Sequence, residues 1–213
     1  MLRSIVALSL LLPALAGAQD VSGEGDGFVV AVDPSTHTIT GYYSSGTGID
    51  ASGQGPQFSC IFFLRGSAQG KPPYRIVTWF PADPSQAIEG DLRFSHGAAT
   101  HSVTLRLEEE PGGCGNVQQF AASEGGANLA LDRTGDWSQV RVVAARRAHF
   151  HASATDAQPQ RSFVTTGDPV KVSASQPGWV QATFTNPDNR STSGWLKEGD
   201  LFPAERPVAR AKR

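Results

Sequence analysis

The sequence predicts an all-β protein, and three observations predict it. Glycine and proline, 23 and 14 of 213 residues, punctuate the whole chain. The apolar residues between them fall in short continuous or alternating runs, not at the three-to-four spacing of a helix. The runs are rich in Val, Ile, Phe, Tyr and Thr, residue types that fit a pleated, half-buried surface.

Taken in order, the runs place strands at Phe28–Val32, His37–Tyr43, Phe58–Leu64, Tyr74–Phe80, Ala87–Phe94, Ser102–Leu107 and Asn128–Leu131. Turn chemistry separates them at Asp33-Pro34-Ser35, Ser44–Pro56, Gly66–Pro73, Ala82–Ser85 and Pro111–Gly115, where Gly admits positive φ and Pro fixes it. A boundary is expected near Trp137–Ala144, where Gly135-Asp136-Trp137-Ser138 leads into a further strand, Val140–Ala144. No Pro- or Ser-rich linker separates the halves, so two closely packed β-domains are expected, over 19–140 and 141–203, with Trp137 a candidate plug between them.

The ends read differently. Met-Leu-Arg precedes an apolar run, Ile5–Leu15, too short to span a bilayer, and the run stops at the small-x-small pattern Ala16-Gly17-Ala18. These features predict a signal peptide over residues 1–18, cut between Ala18 and Gln19. The residue after Leu15-Ala16-Gly17 is Ala18, where a lipoprotein would have Cys, so no lipid anchor and no stable membrane insertion are expected after cleavage. The predicted location is the periplasm, or outside the cell. Residues 204–213 are expected to form a flexible tail with Arg206, Arg210, Lys212 and Arg213.

Between Gln19 and Pro203 there are thirteen basic and nineteen acidic side chains, a mildly acidic body that argues against a nucleic-acid groove. The two cysteines, Cys60 and Cys114, lie in a predicted strand and in the glycine turn Gly112-Gly113-Cys114-Gly115. An even count in an exported chain predicts that they pair, clipping the turn onto the strand. The preceding run Glu108-Glu109-Glu110 reads as a solvated charge run, with a ligand edge as the alternative.

From Ala148 to Leu201 an ordered set of pieces recurs: Ala148-His149-Phe150-His151, then Phe163-Val164-Thr165-Thr166-Gly167-Asp168-Pro169-Val170-Lys171-Val172, then Gly178-Trp179-Val180, Ala182-Thr183-Phe184-Thr185 and Gly194-Trp195-Leu196-Lys197. In this order they resemble a bacterial SH3-like (SH3b) domain, over about residues 146–203. The resemblance implies a small five-stranded barrel with Val170 and Val172 in its core. His149 stands where relatives carry an aromatic residue, and Pro169 where Lys, Glu or Thr is more ordinary. Residues 19–140 resemble no family.

SH3-like domains often accompany peptidoglycan hydrolases, whose catalytic sets would show as a reactive Cys, a Gly-x-Ser-x-Gly run or spaced His ligands. Cys60 lies in a run that reads as a buried strand, where a thiolate is disfavoured. Gly41–Gly46 and Gly53–Gly55 do not match Gly-x-Ser-x-Gly. His96 and His101 flank Gly97 in a predicted turn, without the spacing of a metal hydrolase. His149 and His151 share one strand face, but no further metal ligand is indicated. No phosphate loop or dinucleotide fingerprint is present, and no cofactor is expected.

The expected function is therefore non-catalytic binding in the cell envelope, of peptidoglycan or of a cell-wall-active enzyme, including inhibition of a hydrolase by an immunity protein. Trp179, Phe184, Trp195 and His149 are the candidate ligand-contact residues, and the glycine-rich loop Ser44–Gln57 a candidate binding lip. Two alternatives remain open: a cell-wall hydrolase with an SH3-like targeting domain, and an envelope assembly or scaffold protein.

Overall fold

The computed structural model describes residues 20–97 and 100–205. The expected signal peptide, its cleavage point between Ala18 and Gln19, and the basic residues beyond Glu205 lie outside them. The protein is all-β, as its sequence predicts.

Among the described residues nine strands come first: β1 (Gly23–Gly25), β2 (Phe28–Val32), β3 (Thr38–Thr47), β4 (Phe58–Ser67), β5 (Tyr74–Phe80), β6 (Asp83–His96), β7 (His101–Leu107), β8 (Ala127–Leu131) and β9 (Arg133–Thr134). They form one antiparallel meander from β1 to β8, and β9 returns to pair with β1. The sheet curls until β8 lies against β1, giving a nearly closed barrel. Gly25 is required for that approach, because a Cβ there would sit 2.5 Å from the Ala130 carbonyl oxygen. The β1–β2 link is the two-residue turn Asp26-Gly27, both at positive φ (42° and 77°), a geometry that Asp-Gly supplies readily.

The strands differ in how many faces they bury, and the residue patterns say why. In β7 and β8 inward Val103, Leu105, Leu107, Ala127, Leu129 and Leu131 alternate with more exposed partners, so one face is covered. In β2 to β5 both faces are apolar. Phe28, Val30, Tyr43, Phe62, Leu64 and Ile76 fill the barrel, while Val29, Ala31, Tyr42, Phe63, Val77 and Trp79 form a second apolar surface outside it. That is why these strands read as continuous apolar runs.

The outer surface is covered by β10 (Gln139–Val142) and by the C-terminal segment. Val140 and Val142 pack onto it with Trp137, Phe202 and Ala204. The contact is hydrogen-bonded as well: the Trp137 indole N–H donates to Val30 O at 2.9 Å, Val140 N to Thr40 Oγ1 at 2.8 Å, and Arg65 to Ala204 O at 2.6 Å. Arg141 is buried here, donates to Phe202 O at 3.1 Å and approaches Glu198 at 3.7 Å; burial lowers its pKa.

β10 also opens a second sheet with β13 (Pro169–Gln176), β14 (Trp179–Thr185) and β15 (Ser191–Lys197), in the order β10-β13-β14-β15. A two-stranded ribbon of β11 (Ala148–His149) and β12 (Phe163–Val164) is joined to β15 by the His151–Trp195 bridge. Val170, Val172, Val180, Ala182 and Leu196 share a core there with Phe150, Val164 and Leu201.

Cys60 on β4 is bonded to Cys114, which opens a short 3-10 turn, Cys114–Asn116. The clip holds the segment after β7 against the barrel mouth. Phe120 from that segment enters the mouth, edge-on to Tyr43 and Phe62 at 4.9 and 5.0 Å. Glu110 is not solvated as its acidic neighbours are; one of its carboxylate oxygens accepts from Phe120 N and Ala121 N at 2.8 and 2.9 Å.

Replacing both Cys60 and Cys114 by Ser is expected to lower stability by about 4 kcal/mol in the loop-entropy account, read as a shifted urea midpoint. All three tyrosines are buried and their pKa values raised, and Tyr74, also hydrogen-bonded to Asp20, is pushed up to about 12. Their contribution to stability is therefore intact below about pH 10, the value in an unfolded chain, and is lost as pH rises through the folded values. Absorbance at 295 nm should show little phenolate at pH 10, and Tyr74→Phe should remove the step near 12.

Candidate functional site

A concavity of mixed polar and apolar chemistry lies where the two sheets meet. It is a cleft of about 700 Å³, walled on one side by the Asp26-Gly27 turn, Asp132 and Arg133, and on the other by the Gly167-Asp168-Pro169 turn and the β14–β15 hairpin. Phe28, Val29, Tyr42 and Phe184 supply its apolar lining. Clefts between packed units are common ligand sites, because their walls are set by the fold and need little ordering when a ligand binds.

Its walls are tied together by charge. Lys171, on β13, reaches across to β1, where Nζ lies 2.8 Å from both Glu24 carboxylate oxygens, and it donates to Thr185 Oγ1 at 3.0 Å. Both partners are mostly buried, at 11% and 17% side-chain exposure. Arg133 approaches Glu24 at 3.3 Å and donates to Asn189 Oδ1 at 3.2 Å. The Lys171 ammonium also sits 5.0 Å from the Trp137 ring centre. Below, the Tyr42 hydroxyl donates to Gly167 O at 3.0 Å. Asp168 caps its own turn by accepting from Thr165 N at 2.7 Å and Thr165 Oγ1 at 3.0 Å.

The lining carries Glu24, Asp26, Asp132 and Asp168 against Arg133. Glu24 is neutralised by two cations and Asp168 is occupied by its turn, while Asp26 and Asp132 lie exposed at the rim. The cleft therefore offers an apolar floor under an acidic lip, a setting for a ligand with a flat or aliphatic body and a cationic group.

The residues singled out from sequence fall in three places. Phe184 packs at the margin of the second core and lines the cleft. Trp179 and Trp195 are half-buried on the opposite face of β14 and β15, since Val180, Ala182 and Leu196 point into the core and Trp195 stands opposite Gln181. His151 joins them: its backbone exchanges two 2.9 Å hydrogen bonds with Trp195, its ring lies 4.8 Å from that of Trp179, and Lys197 Nζ lies 6.0 Å from the same indole. His149 is directed elsewhere, against Phe163 at 5.5 Å and Gln160 O at 3.1 Å.

Among the described residues no group of three or more His, Cys, Asp or Glu is arranged to hold a metal ion. Both cysteines of the chain are in the disulfide, so neither is free to act as a thiolate. Of the glycine-rich loop Ser44–Gln57, only Ser44 lines the cleft. Sequence inspection missed Glu24, Asp26, Asp132 and Lys171, although Asp26-Gly27 before an apolar run is a hairpin signal that would have located one wall. No family model matches the chain, and neither a curated protein nor a solved structure matches it.

Lys171→Met keeps the aliphatic stem but leaves Glu24 with Arg133 alone. Charged hydrogen bonds of this kind are worth about 2 kcal/mol, so denaturant melts should lose about that amount.

Proposed function

We propose that the chain is an exported, non-catalytic binding protein of the cell envelope, which recognises peptidoglycan or a cell-wall-active enzyme and, in the second case, acts as an inhibitor or immunity protein. The SH3-like resemblance of residues 146–203 and the expected signal peptide belong to this proposal. The observation that carries it is the cleft between the sheets, of ligand size, rigidly walled and acid-lipped. Stem peptides of the wall and basic loops of an enzyme both present the amino or guanidinium group such a lip favours. The outward Trp179–Trp195 face, with Lys197 beside it, supplies a second flat surface suited to sugar rings or to a protein partner.

A disulfide, with no helix among the described residues long and apolar enough to cross a membrane, is consistent with export to an oxidising compartment. Periplasmic residence is part of the proposal.

The test is retention of the mature protein on purified sacculi, in parallel with capture from a periplasmic extract. Retention on sacculi that falls at least tenfold in Trp179→Ala, Trp195→Ala or Phe184→Ala, with unchanged circular dichroism, identifies a wall binder. A co-purifying hydrolase that loses activity on binding identifies an inhibitor. Clearing of a cell-wall zymogram by the protein itself contradicts the proposal.

A further inference from the structure

At the barrel end opposite Phe120, β6 and β7 finish on a cross-strand pair, His96 opposite His101. Sequence inspection set these two beside a turn and gave them no common purpose. They do flank the turn, and as the last paired residues of the two strands their side chains share one face. Their Nδ1 atoms lie 3.2 Å apart and their rings meet nearly edge-on, at 71°. The other nitrogen of His96, Nε2, is buried without a hydrogen-bond partner and faces Asp20 Oδ1 at 3.5 Å. Phe94 stacks parallel to the His96 ring at 6.4 Å, and the Asp20 carboxylate is anchored by the Tyr74 hydroxyl.

We infer that His96 and His101 form a two-histidine site for a first-row divalent transition metal, bound through both Nδ1 atoms, with Asp20 behind His96 as its orienting carboxylate. Three features of the geometry converge on this. Two imidazole nitrogens on one tetrahedral ion, each at about 2.0–2.1 Å, stand about 3.3 Å apart, which is close to the spacing present. A ligating histidine characteristically donates its second ring N–H to a carboxylate, and the unpartnered Nε2 aimed at Asp20 has that arrangement. The β6–β7 pairing and the Phe94 ring hold the imidazoles, so little ordering remains to be done on binding.

The proton count closes. Without metal, one ring carries its proton on Nδ1 and donates to the other ring. With metal, both neutral rings carry their proton on Nε2, so the bridging proton leaves one Nδ1 and the Nε2 of the same ring takes one up. For His96 that nitrogen faces Asp20. Two protein ligands leave the remaining positions to water, so the ion is exchangeable, and Cu2+ should bind more tightly than Ni2+ or Zn2+.

Titration of untagged, full mature protein with CuCl2 or ZnCl2, followed by calorimetry, tests the inference. One equivalent should bind, with affinity reduced at least tenfold in His96→Asn and in His101→Asn, and about tenfold in Asp20→Asn. His149→Asn should leave it unchanged. Should the histidine variants fail to fold, long-range proton–nitrogen spectra of the unaltered protein decide the matter: Zn2+ must shift the Nδ1 signals of two histidines, those whose amides belong to His96 and His101. Absence of one-to-one binding, binding indifferent to both substitutions, or Zn2+ shifts confined to His37, His149 or His151 would overturn it.

Discussion

The whole arrangement depends on burying the outer face of β2 to β5. A barrel that filled its own interior and showed water a polar exterior would have no use for Val29, Ala31, Tyr42, Phe63, Val77 and Trp79 outside it. Leaving that much apolar surface exposed would make the barrel self-associate. β10, Trp137 and the C-terminal segment to Ala204 cover it. At roughly 25 cal/mol per Å² of apolar surface buried, covering it adds to the stability that the two interior cores supply. Trp137 to Val30, Val140 to Thr40 and Arg65 to Ala204 are hydrogen bonds made across the seam, while the Arg141 Nε is buried there without a partner. The cleft is the margin of this seam. Its walls cannot move apart without exposing apolar surface and breaking the contacts of Lys171 with Glu24 and of Arg133 with Asn189.

At the barrel's two ends the constraints differ. One mouth is plugged by Phe120 on a segment with little regular structure, held by the Cys60–Cys114 bond and by Glu110. The other is closed by side chains on the strands themselves, Tyr74, Phe94, His96 and His101, together with Asp20. A covalent clip is useful at the first, where loop entropy opposes order. At the second, cross-strand pairing already fixes the rings.

Much of this was legible in the sequence, for physical reasons that also explain what was not. β2 and β5 were read with their observed bounds, because their apolar runs end at turn residues. β3, β4 and β6 run several residues beyond the apolar pattern, since hairpin pairing continues into Ser, Gly and Asp where no core face demands hydrophobic side chains. β1, as Gly-Glu-Gly, has no pattern at all; the Asp26-Gly27 turn and the crowding against Ala130 place it. The contrast between continuous runs in β2–β5 and alternation in β7 and β8 encoded which strands are covered twice, but it carries that meaning only once the covering element is known. Of the candidate contacts, Phe184 reached the cleft, while Trp179 and Trp195 lie on the other face of the same hairpin, because odd and even positions in a strand point apart. The cleft itself was invisible, since its residues come from five separate segments that only tertiary contact brings together.

The central claim is that the seam makes the two sheets one cooperative structure, with the cleft a fixed feature of it. Native-state hydrogen exchange on the intact protein tests this most directly, by comparing opening free energies for amides of β3 and β4 with those of β13 and β14. The account predicts equal values for the most protected amides of both sheets, and a common loss in Val140→Asp. Protection of β13 and β14 several kcal/mol below that of β3 and β4, unaltered by the substitution, would mean that the second sheet opens while the barrel stays closed, and would contradict it.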